Sequence, residues 1–174
     1  MIRANDWHTS PAVYHLCLIR PEDDFFKNTK SLLIIHNLPY LGYGAQKALD
    51  EFGLPPISQS ALPGWAQHLP LPLGLFSADM INTVSRGDAQ EILTPEFRAG
   101  LEDFLKTRSS DIYGVMNGLD TEHWEPDTDP SIYVNHKIDE FKKREKNKTA
   151  LLSEFDLKAD IERPLLTMIN RMDH

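Results

Sequence analysis

Ser31-Leu32-Leu33-Ile34-Ile35, running straight into His36-Asn37-Leu38-Pro39, decides how this 174-residue chain folds. An unbroken aliphatic run of that length, closed by polar residues and a proline, suits a strand covered on both faces, as in a parallel sheet. Met80-Ile81-Asn82-Thr83-Val84-Ser85 and Ile112-Tyr113-Gly114-Val115-Met116-Asn117 repeat the theme, each ending in a small polar residue and turn chemistry. Helical patterns lie between and around these runs: Ser10 to Leu18, Leu73 to Ala78, Gly87 to Leu93 and Arg98 to Lys106. The alternation predicts an α/β fold, a parallel sheet with flanking helices.

Composition narrows the function. With 41% hydrophobic and 25% charged residues the chain has the profile of a globular protein, not a disordered one. Its length corresponds to about one domain. The formal charge of -8 disfavours a nucleic-acid partner, which would need a basic footprint. No run approaches the roughly 20 apolar residues that cross a bilayer, so no membrane partner is expected. The opening Met1-Ile2-Arg3-Ala4-Asn5-Asp6 does not read as a signal peptide. The single cysteine, Cys17, forms no internal disulfide, which suits a reducing, cytoplasmic setting.

Three segments stand apart. From Pro39 to Pro72 the chain carries Pro39, Pro55, Pro56, Pro63, Pro70 and Pro72, too long an excursion for a routine connection. It reads either as a surface excursion or as a site-building loop after the carboxyl end of a strand, where open α/β sheets place ligands. Lys137 to Leu152 reads as an exposed basic helix, with Phe141, Ala150-Leu151-Leu152 and Phe155 as the face it buries; its charge suits either a solvated surface or an anionic partner. Leu165-Leu166-Thr167-Met168-Ile169 has the pattern of a buried strand.

Several signatures are missing: Gly-x-Gly-x-x-Gly, the phosphate loop, Gly-x-Ser-x-Gly, and any His-x3-His or Cys/His metal spacing. No metal and no cofactor are therefore expected. Three clusters remain. In Asn5-Asp6-Trp7-His8-Thr9, Asp6 or Thr9 caps the next helix and Trp7 packs, or the group is functional. In Ile35-His36-Asn37-Leu38-Pro39-Tyr40-Leu41-Gly42, polar and aromatic groups gather where an apolar strand meets a loop, a place suited to ligands. In Met116-Asn117-Gly118-Leu119-Asp120, Asn-Gly is a turn signal in its own right.

Taken in order, these pieces resemble one family. Asn5-Asp6-Trp7-His8-Thr9, then Ile35-His36-Asn37-Leu38-Pro39-Tyr40, then Ala78-Asp79-Met80-Ile81-Asn82-Thr83-Val84-Ser85, then Asn117-Gly118-Leu119-Asp120 with Trp124 and Pro126, are similar to the starch/glycogen synthases. Glu91-Ile92-Leu93-Thr94-Pro95-Glu96-Phe97, Thr128-Asp129-Pro130 and the closing Ile169-Asn170-Arg171-Met172 extend the resemblance over essentially the whole chain. These are retaining glucosyltransferases of the GT-B type, with two Rossmann-like domains facing across a cleft.

The resemblance implies transfer of glucose from ADP-glucose to the non-reducing end of an α-1,4-glucan, with retention and without a metal. It assigns Asp6 and His36 to the reacting centre, Asn117 and Arg171 to the donor, and Trp7, Asn37 and Tyr40 to the acceptor. It also implies that residues 1–160 are the later part of the N-terminal domain, including a linker helix over 137–155. Residues 161–174 would be the first strand of the C-terminal domain. On that reading the chain is an internal fragment and needs the missing parts of both domains for activity. Some positions depart from the pattern. Arg3 and Asn5 stand where many members have histidine, Arg86 where a proline follows Val-Ser, and Leu71-Pro72-Leu73-Gly74 replaces a lysine-containing segment. A non-catalytic carbohydrate-binding or regulatory half-domain is an alternative. So is another GT-B glucosyltransferase of sucrose or trehalose type, which the Asp-Trp-His and His-Asn-Leu-x-Tyr pair disfavours.

Overall fold

A computed structural model describes the chain apart from residues 59, 60, 98, 159 and 171–174. It divides into two compact units, Met1–Asn117 and Gly118–His174.

The first unit is built on a four-stranded parallel sheet whose spatial order follows the sequence. The strands are β1 (Ile2–Asn5), β2 (Ser31–Ile35), β3 (Met80–Thr83) and β4 (Ile112–Gly114). Between them run α1 (Asp6–Ile19), α2 (Gln46–Glu51), α3 (Pro70–Ser77), α4 (Arg86–Glu91) and α5 (Glu102–Thr107). This is the expected α/β arrangement. Every crossover steps the same way, and right-handed crossovers then place the helices on one face of the sheet. Burial follows that rule. The cross-strand row Ala4, Leu33, Ile81 and Ile112 is at most 9% exposed, whereas Met80 and Tyr113 on the opposite face are 46% and 52% exposed. Only β2, in the middle, comes near the expected burial on both faces, with Ile34 buried and Leu32 half-buried.

β1 is a strand that the sequence pattern does not announce. It has four residues, and Arg3 and Asn5 are exposed. α1 begins at Asp6, ahead of the expected Ser10, and tolerates Pro11 within it. α3 begins at Pro70, inside what reads as loop. Pro70 and Pro72 fall in its first turn, where backbone N–H groups have no helical partner to lose. α4 is capped by Ser85, whose hydroxyl accepts from the Asp88 amide at 2.9 Å. The stretch expected as helix from Arg98 instead enters α5 at Glu102.

Two charged groups lock this unit. At the amino ends of the strands the Asp79 carboxylate accepts from Arg20 (2.9 and 3.1 Å), Lys30 (3.1 Å), and the Ser31 amide (2.8 Å) and hydroxyl (2.9 Å). Burial alone would raise its pKa, but these donors outweigh burial and hold the carboxyl well below the usual carboxylate range. Arg108 donates to the carbonyls of Leu75 (2.8 Å), Phe76 (3.0 Å) and Ala78 (2.6 Å), closing the end of α3. It also pairs with Asp111 at 2.8 Å.

Two glycines mark close approaches. A Cβ on Gly74 of α3 would lie 2.6 Å from the Ser10 Cβ of α1. A Cβ on Gly114 of β4 would lie 2.1 Å from the Ser85 carbonyl oxygen.

Among its described residues the second unit holds α6 (Phe141–Glu154) and irregular chain. The expected helix is present, but it starts at Phe141, and Phe141 and Phe155 are 64% and 65% exposed. Leu152 alone in α6 is buried. The Asn147 side chain bridges both backbone groups of Val134 (2.7 and 2.8 Å), tying the helix to the preceding loop. The Leu165–Ile169 run, expected as a buried strand, forms none, and Leu166, Met168 and Ile169 are 88% exposed or more. A strand needs a partner for its backbone groups, and the one sheet among the described residues ends at β4.

Candidate functional site

In an open parallel sheet the strands' carboxyl ends face the ligand. Here that edge carries Asn5 at the end of β1 and Asp6 after it, His36 and Asn37 after β2, Ser85 and Arg86 after β3, and Asn117 three residues beyond β4. The candidates from separate motifs therefore share one edge.

Asp6 joins two of them. Its Oδ1 accepts from the backbone amides of His36 (2.7 Å) and Asn37 (3.2 Å), across 30 positions of sequence. The carboxylate does not cap its own helix. It holds the exit of β2, in a left-handed backbone conformation with φ of 50°. Aspartate tolerates that region better than most residues. The Asp6 carbonyl in turn accepts from the buried Ser10 hydroxyl at 2.7 Å, which links the site to the α1–α3 contact.

The His36 ring is exposed, with Nε2 at 3.3 Å from Asn5 Oδ1. Asn37 is exposed, and its carbonyl accepts from the Tyr40 amide at 3.3 Å, turning the chain so that Tyr40 is half-exposed on the same loop. Trp7 is half-buried against the core, stacked on His8 with ring centroids 3.9 Å apart. It also abuts Gly42, where an added Cβ would lie 2.9 Å from the indole; Gly42 has φ of 87°, a further reason for glycine there. Asn117 is exposed, with no hydrogen bond to the other candidates among the described residues. Arg171 lies outside the described residues.

Beside His36 opens a cavity of about 430 Å³, lined by Asn37, Leu38 and Pro39 on one side and Asp88, Ile92 and Glu96 on the other. Two carboxylates on its wall suit an uncharged, hydroxyl-bearing ligand better than a phosphate. Motif reading gave Asp88 no role, quoted Glu96 only within a longer run, and missed the role Thr9 takes here. Its hydroxyl bonds both backbone groups of Asn5 (2.6 and 2.7 Å). No local signal marks Asp88 or Glu96 as site residues, because what distinguishes them is proximity to the exit of β2, whereas Thr9 acts on a residue one helical turn away. No group of three or more His, Cys, Asp or Glu among the described residues is arranged to hold a metal ion. No helix among them is long and apolar enough to cross a membrane.

The sequence profile of the starch synthase catalytic domain matches residues 1–107. The chain belongs to that family. Among curated relatives of this starch synthase catalytic domain family, the glycogen synthase of Thermosipho melanesiensis is 37% identical over 174 residues. The glycogen synthase of Moorella thermoacetica is 34% identical over 179 residues. In each case the match covers 99% of this chain and 36% of the relative, so the chain spans about a third of their length. Among solved structures, the catalytic domain of starch synthase IV from Arabidopsis thaliana, bound to ADP and acarbose, superposes with a TM-score of 0.65 at 25% identity. That match covers 88% of this chain and 32% of the Arabidopsis chain.

Proposed function

We propose that this chain carries the sugar-handling corner of a glycogen or starch synthase site, one that transfers glucose from ADP-glucose to the 4-hydroxyl at the non-reducing end of an α-1,4-glucan, with retention. The observation that carries this reading is the Asp6 carboxylate gripping the His36 and Asn37 amides at the ligand-facing edge of a family member's sheet. The ADP and acarbose of the Arabidopsis relative are a nucleotide and a glucan-like sugar, the two ligand classes this reaction needs.

Breaking the bond from glucose to diphosphate leaves positive charge on the sugar and negative charge on the leaving group. Fixed dipoles and charges placed beforehand stabilise both. Held by Asp6, His36 stands beside the reacting sugar. The carboxylate of Asp6 adds negative charge near the developing cation. Asn117 contacts the donor, and Arg171 neutralises the diphosphate through a forked, charge-assisted contact. Asn37, Tyr40 and Trp7 line the acceptor side, where the carboxylates of Asp88 and Glu96 accept from sugar hydroxyls. Residues 1–160 then serve as part of the first of two facing domains, and activity requires the remainder of both.

A chimera tests this, with residues 1–174 replacing the matching third of the Thermosipho melanesiensis glycogen synthase. Incorporation of labelled glucose from ADP-glucose into glycogen is expected, and D6N and H36A should each lower it by about 100-fold, the scale of losing one group that stabilises the transition state. An active chimera indifferent to both substitutions would overturn the assignment.

A further inference from the structure

Asn5 ends β1 and occupies the N-cap position of α1, with extended backbone at φ -126° and ψ 125°. Asparagine is among the strongest N-caps because its side-chain oxygen ordinarily accepts from the second or third helical amide. Here it makes no such bond. Its Oδ1 lies instead 3.3 Å from His36 Nε2, on the neighbouring strand's exit. Thr9 holds the residue in this posture. The Thr9 hydroxyl accepts from the Asn5 amide at 2.6 Å and donates to the Asn5 carbonyl at 2.7 Å, clasping its backbone from one turn along the helix. The side chain is thus released from the helix end and committed to the histidine.

An amide oxygen can only accept, so a hydrogen bond at this contact requires a proton on Nε2. In the neutral ring Nδ1 is then the acceptor. We propose that Asn5 is a positioning residue for His36, setting its ring orientation and its Nε2–H tautomer, with Thr9 keeping Asn5 in place. The proposal rests on His36 being the sugar-handling histidine, and it adds what that ring offers: an acceptor nitrogen for a sugar hydroxyl. Consecutive residues divide the work, with Asn5 holding the ring and Asp6 the main chain of the same histidine.

Ring ¹⁵N shifts from long-range ¹H–¹⁵N correlation spectra read the tautomer directly at about pH 8.5, where imidazole is neutral; H36A assigns the resonances. Wild type is expected to show the Nε2–H pattern almost alone. N5D, which keeps both an acceptor oxygen and a good N-cap, should preserve it. N5S also keeps a good N-cap but is too short to reach the ring. It should give the mixed pattern that the same chain shows in concentrated urea, and T9V should move toward that mixture. A mixed wild-type spectrum, or N5S and wild-type spectra that coincide, would overturn the proposal. No substrate or turnover enters the measurement, so its outcome is separable from whether the site transfers glucose.

Discussion

Asp6 and His36, thirty residues apart, are joined by a 2.7 Å hydrogen bond from the His36 backbone amide to the Asp6 carboxylate. The start of the first helix and the end of the second strand are therefore tied directly to each other. Substitutions at Asp6 separate its contributions. D6A loses a charge-assisted acceptor and puts a Cβ without local hydrogen-bonding capacity at positive φ, and should cost about 2–3 kcal/mol. D6N keeps an acceptor and tolerates the backbone, and should cost less than about 1 kcal/mol. Urea denaturation ranks them. Losses below about 1 kcal/mol for both would show that the bond to His36 contributes little.

Asp79 ties the opposite edge of the sheet, and its contribution depends on pH. Its folded pKa lies below the unfolded value of about 3.9, so the stabilisation is complete above roughly pH 5 and drains away as pH falls through the carboxylate range. D79N should be less stable than wild type by about 2 kcal/mol at neutral pH, with Arg20 and Lys30 left without their shared carboxylate. The gap should close toward pH 2. A gap that stays constant from pH 7 to pH 2 would mean the carboxylate charge is not what matters.

Gly74 and Ser10 set the spacing of α1 and α3. Glycine to alanine inside a helix ordinarily gains up to about 1 kcal/mol. Here the new methyl meets the Ser10 side chain, and overpacking should reverse the sign to a loss of about 2 kcal/mol. Adding S10G to G74A makes room and should recover part of that loss. A thermal melt of the double variant no higher than that of G74A would place the strain elsewhere.

Arg108 closes the end of α3 with three carbonyl contacts. R108K keeps the charge but cannot spread donors over Leu75, Phe76 and Ala78 together. It should cost about 1–2 kcal/mol, and R108A about 3 kcal/mol. Hydrogen exchange should quicken first in residues 74–78. Uniform quickening across the first unit would argue for a general loss of stability instead.

The contrast between β1 and β2 explains what sequence reading reaches. β2 is aliphatic from Leu32 to Ile35 and sits mid-sheet, so its pattern and its burial agree. β1 is four residues long and shows Arg3 and Asn5 to solvent, so nothing in its composition separates it from a loop. The same holds within the site. Motif order finds Asp6, His36 and Asn37, but the capping role expected of Asp6 is a local rule. Its actual partners lie on another strand, at a distance no local rule spans. Pro70 and Pro72 mislead in the reverse direction: a proline signals a break, yet in a first helical turn it costs no hydrogen bond. Leu165–Ile169 has the composition of a buried strand, but pairing depends on neighbours, which composition does not supply.

Gly114 has a consequence for how this sequence can drift. β4 passes so close to the turn after β3 that any side chain at 114 would occupy the Ser85 carbonyl. Position 114 is therefore not free to change while residues 85 and 86 keep their path. A lineage that acquires a side chain there must first have rerouted that turn, and with it the cap of α4. The order of those two events is thereby set by geometry, which makes this glycine a ratchet as well as a fit.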